Sequence, residues 1–223
     1  MLKEIYLIRG EKSENYETFK ERMFTSVMQI KNEVKPIALK FTITDKPAPV
    51  LSIIPFKRSK IAAISVCRRE EGLIESLIQD EGFYGAYRVK EALPVSYDKY
   101  WKDTEPTPGV CMLTIFKRKK GIDYESFIDR WHNSHTPLSL RIHPLWNYVR
   151  NVVEKSLTIH SAKFEGIVEE NFKTSSDLLN PFRFFGNPLV ILYRMLQVYT
   201  DTKAFIDYPS METYLTTEYH VVS

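Results

Sequence analysis

Two charged residues, Lys3 and Glu4, lead into the run Ile5-Tyr6-Leu7-Ile8, a short apolar and aromatic stretch of strand length and composition. After a polar turn the pattern changes, and Phe19, Met23, Val27 and Ile30 fall at helical spacing on one stripe. The same order of patterns returns later, where a strand-like stretch from Val110 leads to a second stripe of Phe127, Trp131, His135 and Leu138. A shift of 108 positions lays Leu2–Ile30 on Val110–Leu138 without a gap. Six positions are then identical: Lys12 and Lys120, Tyr16 and Tyr124, Glu17 and Glu125, Phe19 and Phe127, Arg22 and Arg130, Ser26 and Ser134. Asn15 and Asp123 also align, each placed to cap the first turn of its helix, with Glu17 or Glu125 in the turn where the helix dipole favours an anion. The chain thus reads as an internal duplication.

The remaining elements follow a common order. In the first half, Ile37–Ile43 and Lys60–Cys67 read as strands, with turn-rich Thr44–Pro49 and an edge segment Val50–Phe56 between them. A helix over Glu71–Gln79 and a closing strand within Phe83–Tyr100 complete it, and Asp103–Gly109 serves as linker. In the second half, Trp146–Val153, Lys163–Phe172 and Thr213–Val222 read as strands, and Ser176–Leu179 and Pro188–Gln197 as helices. Strand, helix, strand, strand, helix, strand is the split βαβ order of an α+β ferredoxin-like unit. Two such units, 1–102 and 109–223, can bury the bare faces of their sheets against each other, giving tandem duplicated ferredoxin-like units packed as an intramolecular dimeric α/β-barrel.

Composition narrows the function. With 43% hydrophobic and 13% aromatic residues the chain of 223 has ample core material, which excludes disorder. A formal charge of +3, well mixed, gives no ground for nucleic-acid binding. The basic runs Lys57–Lys60 and Lys117–Lys120 read as solvated turns, with attraction of an anionic ligand as the alternative. Cys67 and Cys111 have no partner at metal or redox spacing and read as buried, reduced thiols of a cytoplasmic protein. No signal peptide and no integral membrane segment is expected, since the longest apolar run, Leu189–Tyr199, is broken by Arg194 and Gln197. None of the eight glycines forms a nucleotide fingerprint, and no serine nucleophile elbow occurs.

Phe116-Lys117-Arg118-Lys119-Lys120-Gly121, followed by Phe127, Trp131, His135, Pro137 and Leu138, resembles the EthD family. Asn147-Tyr148-Val149-Arg150-Asn151 and Glu218-Tyr219-His220-Val221 are similar to that family's second and closing strands. The resemblance covers about half of the chain. It implies the dimeric α/β-barrel superfamily, a substrate seat between sheet and helices, and His135 as the characteristic histidine. EthD-like relatives include dehydratases and cyclases of polyketide and pigment pathways and companions of ether-degrading oxygenase systems. More distant members of the superfamily are cofactor-free monooxygenases, haem-handling enzymes and stress proteins. The fold locates a ligand better than it names a reaction.

The residues themselves point to a site in the second half. His135 projects from the stripe facing the sheet, where it can exchange a proton near neutral pH or serve as a core histidine bonded to backbone. Val27 occupies its position in the first half, so packing alone requires no histidine there. Trp131 and Phe127 are expected as aromatic walls. Tyr148 and Asn151 lie on opposite faces of a regular strand, and only one can enter a given pocket. Tyr148 can stabilise an enolate and Asn151 can orient a carbonyl, while Arg150, on the Tyr148 face, can hold a carboxylate. Glu218 and His220 share a face of the last strand and are expected to approach His135 from the sheet side; a metal held by these three is disfavoured by their spacing. His132 is expected to be exposed, and His143, in a turn, and His160, in a loop, to lie at the surface or in local bonding. Phe182–Pro188, dense in aromatics around Gly186, reads as an inserted lid, a membrane-touching patch or a partner-binding surface, with a lid or pocket wall favoured.

The sequence thus predicts a cofactor-free lyase or cyclase acting on a hydrophobic carbonyl or aromatic small molecule, with His135 as general acid or base and Tyr148 assisting. The alternatives are a non-catalytic binder of hydrophobic ligands, a structural or interaction protein, and a cofactor-free or haem-dependent oxygenase-related enzyme. A homodimer of the pseudo-dimeric chain is the protein partner left open.

Overall fold

The computed structural model describes residues 1–223. The strands are β1 (Leu2–Arg9), β2 (Ala38–Ile43), β3 (Ile61–Arg68), β4 (Phe83–Val95), β5 (Val110–Phe116), β6 (Asn147–Ser156), β7 (Gly166–Phe172) and β8 (Glu212–Val222). They close into one antiparallel barrel in the order β1-β3-β2-β8-β5-β7-β6-β4, with β4 returning to β1. The order contains two arcs of the same pattern, β4-β1-β3-β2 and β8-β5-β7-β6. They meet at two seams, where β2 pairs with β8 and β4 with β6. Closure leaves no unpaired sheet edge.

Helix α1 (Tyr16–Val34) packs on the first arc. Asn15 caps it by accepting the Thr18 N–H at 2.8 Å, and Phe19, Met23, Val27 and Ile30 are fully buried against Phe41, Ile64 and Val221. The corresponding stretch of the second arc is segmented into α3 (Tyr124–Asp129), a π-helical turn (Arg130–His135) and α4 (Thr136–Ile142). Asp123 caps α3 in the same way, from Ser126 N–H at 2.7 Å. The π turn has a cause in the sequence. Pro137 has no N–H for the carbonyl four residues back and its ring crowds that carbonyl, whereas Gln29 at the matching place in α1 lets the α pattern run on.

Several expected elements change. Val50–Phe56 forms no strand and contributes only one bridge, Phe56 to Thr213, because Pro47, Pro49 and Pro55 remove backbone donors. The helix predicted over Glu71–Gln79 shortens to α2 (Glu75–Ile78). The segment Asp103–Gly109 does not dangle between halves: Thr104 and Thr107 donate backbone N–H groups to β8 carbonyls, at 2.6 and 2.8 Å. In the second half, α5 (Ser175–Leu179) is followed by α6 (Pro181–Phe184) and α7 (Ile191–Lys203) before a 3-10 turn (Tyr208–Ser210) and β8. The first half has only four residues between α2 and β4, so α6 and α7 are an addition unique to the second half.

Inward-facing residues divide the barrel interior. One end is apolar, with Ile5, Leu7, Tyr87, Leu113, Ile115 and Ile167. The other end is polar, where Lys40 donates to Glu169 and Glu218, each at 2.9 Å. Burial works against all three charges, yet their mutual attraction holds the Lys40 ammonium well above, and both carboxyls below, their usual ranges. Cys67 and Cys111 are buried free thiols. No helix is long and apolar enough to cross a membrane.

Candidate active site

Between the outer face of the second arc and the helices that cover it lies a cavity of about 540 Å³. Its floor is the sheet, through Met112, Thr114 and Phe116 of β5, Tyr148 of β6, and Val168 and Glu170 of β7. Trp131, His135 and Ser139 enter from the π turn and α4. The unique addition supplies the roof, with Phe184, Phe185, Met195, Val198 and Tyr199, and Phe205 behind His135. The loop before β3 closes one flank with Ile53, Ile54 and Lys57. Most of this lining is apolar, so its few polar groups stand out.

His135 is the best-oriented of them. Asp201, on α7, accepts from its Nδ1–H at 2.8 Å, and Ser139 Oγ lies 3.1 Å from Nε2. Partial burial raises the Asp201 carboxyl, but bonds from His135 and from Ser134, at 2.6 Å, hold it below the usual range and keep it ionised. In the neutral ring the proton then sits on Nδ1, and Nε2 is the basic nitrogen. Its side chain is 13% exposed, enclosed but not sealed.

Glu170 is the second polar group. It is a cross-strand neighbour of Tyr148, is 7% exposed, and has no cation beside it. Burial pushes its carboxyl from 4.5 up to about 7, so it exchanges a proton around neutrality. Tyr148 is buried; desolvation and the adjacent Glu170 push its hydroxyl up and keep it a neutral donor.

The other expected site residues divide cleanly. Trp131 joins His135 and Tyr148 on the wall. Phe127 lies behind it, its ring centroid 5.6 Å from that of Trp131, and does not reach the cavity. Arg150 shares the Tyr148 face but donates to Thr136 Oγ1 at 2.7 Å, bracing the start of α4 instead of meeting a ligand. Asn151 points into the barrel interior, fully buried, as strand period two requires once Tyr148 faces the cavity. Glu218 and His220 also turn inward, because Thr213 at the cavity fixes the parity of β8; Tyr97 bonds both, and neither approaches His135. No cluster of three His, Cys, Asp or Glu side chains is arranged to hold a metal.

Among the remaining histidines, His160 is exposed, and His132 is half-buried, its ring pushed down to about 4 by desolvation. His143 is neither at the surface nor bonded locally, its partner lying 41 positions away. It is buried, donates from Nδ1 to the Phe184 carbonyl at 3.0 Å and stacks on the Phe184 ring, and burial pushes it down to about 4. The aromatic addition created this burial. Asp201, Glu170 and Ser139 escaped sequence reasoning. Only Glu170 had a visible signal, two adjacent carboxylates in the strand read over Lys163–Phe172, since one of the pair must face each side.

No family model matches the chain, and no curated protein matches it. Among solved structures it is similar to an anthrone oxidase-like protein, at 10% identity and a TM-score of 0.57, over 99% of this chain and 91% of that one. It also aligns with a proposed monooxygenase from Fusobacterium nucleatum, at 9% identity and TM-score 0.49, over 99% and 92% of the two chains. A proposed monooxygenase from Lactobacillus acidophilus gives 9%, 0.45, and 99% and 93%. The first likeness supports the barrel fold, and EthD membership is not shown by any of these comparisons.

Proposed function

We propose that this chain is an EthD-like enzyme of tandem ferredoxin-like units that moves a proton on a hydrophobic, carbonyl-bearing small molecule. The observation that carries the proposal is His135 oriented by Asp201 on the wall of a largely apolar cavity that also holds Glu170 and Tyr148. His135 Nε2 is the base: it takes a proton from a carbon next to the carbonyl, or returns one to a leaving hydroxyl. The Tyr148 hydroxyl donates to the developing enolate oxygen, and Glu170 is a second proton carrier. Apolar walls strengthen each of these interactions by excluding water. Aldol cyclisation and dehydration both use this pair of proton transfers, which supports a lyase or cyclase as the first reading.

A second reading keeps the site and changes the fate of the enolate. The similar fold of an anthrone oxidase-like protein favours a cofactor-free oxygenase, in which the same deprotonation precedes reaction with dioxygen. One experiment tests both. Aromatic ketones are incubated with the protein in deuterium oxide, with proton NMR following exchange at the activated carbon and an oxygen electrode following consumption. Exchange that is lost in His135→Ala supports proton transfer; oxygen uptake alongside it selects the oxygenase. A ligand that binds His135→Ala as tightly as the parent chain, with no exchange or turnover in either, sinks the enzyme and leaves a hydrophobic-ligand binder.

A further inference from the structure

The cavity opens where its lining residues are also exposed. Ile53, Pro55 and Lys57 mark one lip, and Tyr199 and Pro209 the other. The lips belong to the loop 46–60 and to α7 with its flanks. Both present large apolar side chains outward. On α7 these are Leu192, Tyr193 and Leu196, 61% to 79% exposed on one stripe, and Leu189, 94% exposed in the turn just before the helix, extends it. On the loop they are Val50 and Leu51, at 80% and 92%. The inner face of the same helix, with Met195 and Val198, roofs the cavity, so α7 is apolar on two sides. An exposed apolar surface of this kind, rimming the entrance of a largely apolar cavity, marks a contact site.

Charge indicates what it contacts. No aspartate or glutamate occurs from Lys46 to Arg69 or from Leu178 to Thr200. The first stretch exposes Lys46, Lys57 and Arg58, and Lys203 continues the outer stripe of α7. The one carboxylate of α7, Asp201, is turned to the cavity side and bonded to His135 and Ser134, so the outward face joins apolar side chains to cations, the composition of a short segment lying in the headgroup region of an anionic membrane.

We propose that the cavity mouth docks on anionic lipid bilayers and that hydrophobic ligand passes from the bilayer into the cavity between α7 and the loop 46–60. This rests on the cavity's being a hydrophobic-ligand site, though not on the chemistry of His135.

The test uses flotation with phosphatidylcholine vesicles, with and without an equal share of phosphatidylglycerol. The full-length chain should float with the anionic vesicles and much less with the neutral ones, and 0.5 M salt should weaken binding. Leu192→Glu with Leu196→Glu, at positions already in water, should cut vesicle binding at least tenfold with the circular dichroism spectrum unchanged. Lys57→Glu with Arg58→Glu should reduce binding to the neutral-vesicle level. Leu192→Trp should show a blue-shifted emission component with anionic vesicles. Analytical ultracentrifugation runs in parallel: a stable dimer that Leu192→Glu dissociates, without vesicle binding, makes the stripe a face for a second copy and overturns the proposal. Uptake of a neutral naphthalene dye in buffer separates the two readings. Dye bound without vesicle binding overturns membrane docking alone. Vesicle binding without dye uptake removes the cavity reading and ligand transfer with it.

Discussion

At the scale of single residues, Glu170 carries a cost that the fold tolerates. Its carboxyl is buried with no cation beside it, so the folded chain keeps the proton up to about pH 7 while the unfolded chain releases it near 4.5. Between those values the folded state binds more protons than the unfolded one, and stability falls as pH rises. Above pH 7 the full cost, about 3 kcal/mol, is present; below pH 4.5 it vanishes. Glu170→Gln should therefore be more stable than the parent chain at pH 8, by up to about 3 kcal/mol, and equal to it at pH 4. Urea titrations at the two pH values measure this, and equal stability at pH 8 would show that the carboxyl is solvated. His143, pushed down to about 4, gives the opposite slope, its stability loss growing as pH falls from about 6.5. The substitution isolates Glu170 because His143 is common to both chains. A carboxyl buried at such a cost, where an apolar residue would pack more stably, fits the proton-carrier role proposed for it.

At the scale of elements, the π turn sets the direction of His135. Pro137→Ala restores a donor for the carbonyl of Asn133, so the segment should adopt α-type bonding and rotate His135 away from Asp201. The expected result is a fall in proton-exchange rate on the order of tenfold to hundredfold with no loss of thermal stability, since replacing an interior proline favours the helix. Rates and melting curves together check it; an unchanged rate would mean that the His135–Asp201 bond, not the helix, fixes the ring. The two stripes show how far sequence reaches here. Phe19, Met23, Val27 and Ile30 are legible because a regular α-helix keeps its spacing, and so is Phe127 in α3; Trp131, at the start of the π turn, is still one turn on from Phe127 and keeps its place on the stripe. The π turn is not, because it follows from one missing N–H and not from periodicity. Asp201 was unreadable for a different reason: it reaches His135 from a helix 66 positions away, and nothing local encodes that contact. The aromatic Phe182–Pro188 was visible as an addition, but its partner α7 extended past the expected Gln197 to Lys203, bringing Asp201 with it.

At the scale of the whole molecule, the polar end of the barrel ties the arcs together. Lys40 belongs to the first arc, and Glu169 and Glu218 to the second, so the ion triad crosses the β2–β8 seam. Thr42 adds a bond to Glu169 at 2.6 Å across the same gap. Neither half alone can satisfy these groups, which explains how two sheets with such regular inner alternation select each other over a purely apolar stack. The Glu218-x-His220 pattern, read as approaching the active site, belongs to this core. Lys40→Met should leave two buried carboxylates facing each other without the cation that bridges them, with only Lys3 and His220 to offset their charge, and destabilise the chain by about 3–5 kcal/mol at pH 7. In the parent chain Glu169 and Glu218 are held below 4.5, so their contribution is present above that value and lost as pH falls through the depressed range. In Lys40→Met, burial and mutual repulsion raise both carboxyls, and protonation relieves the defect from the acid side. The stability gap between the two chains should therefore narrow steadily as pH is lowered from 7 towards 4, as measured by denaturant unfolding. A gap independent of pH would assign the loss to packing around the lysine stem, and the seam would then be held by its backbone ladder and apolar contacts alone.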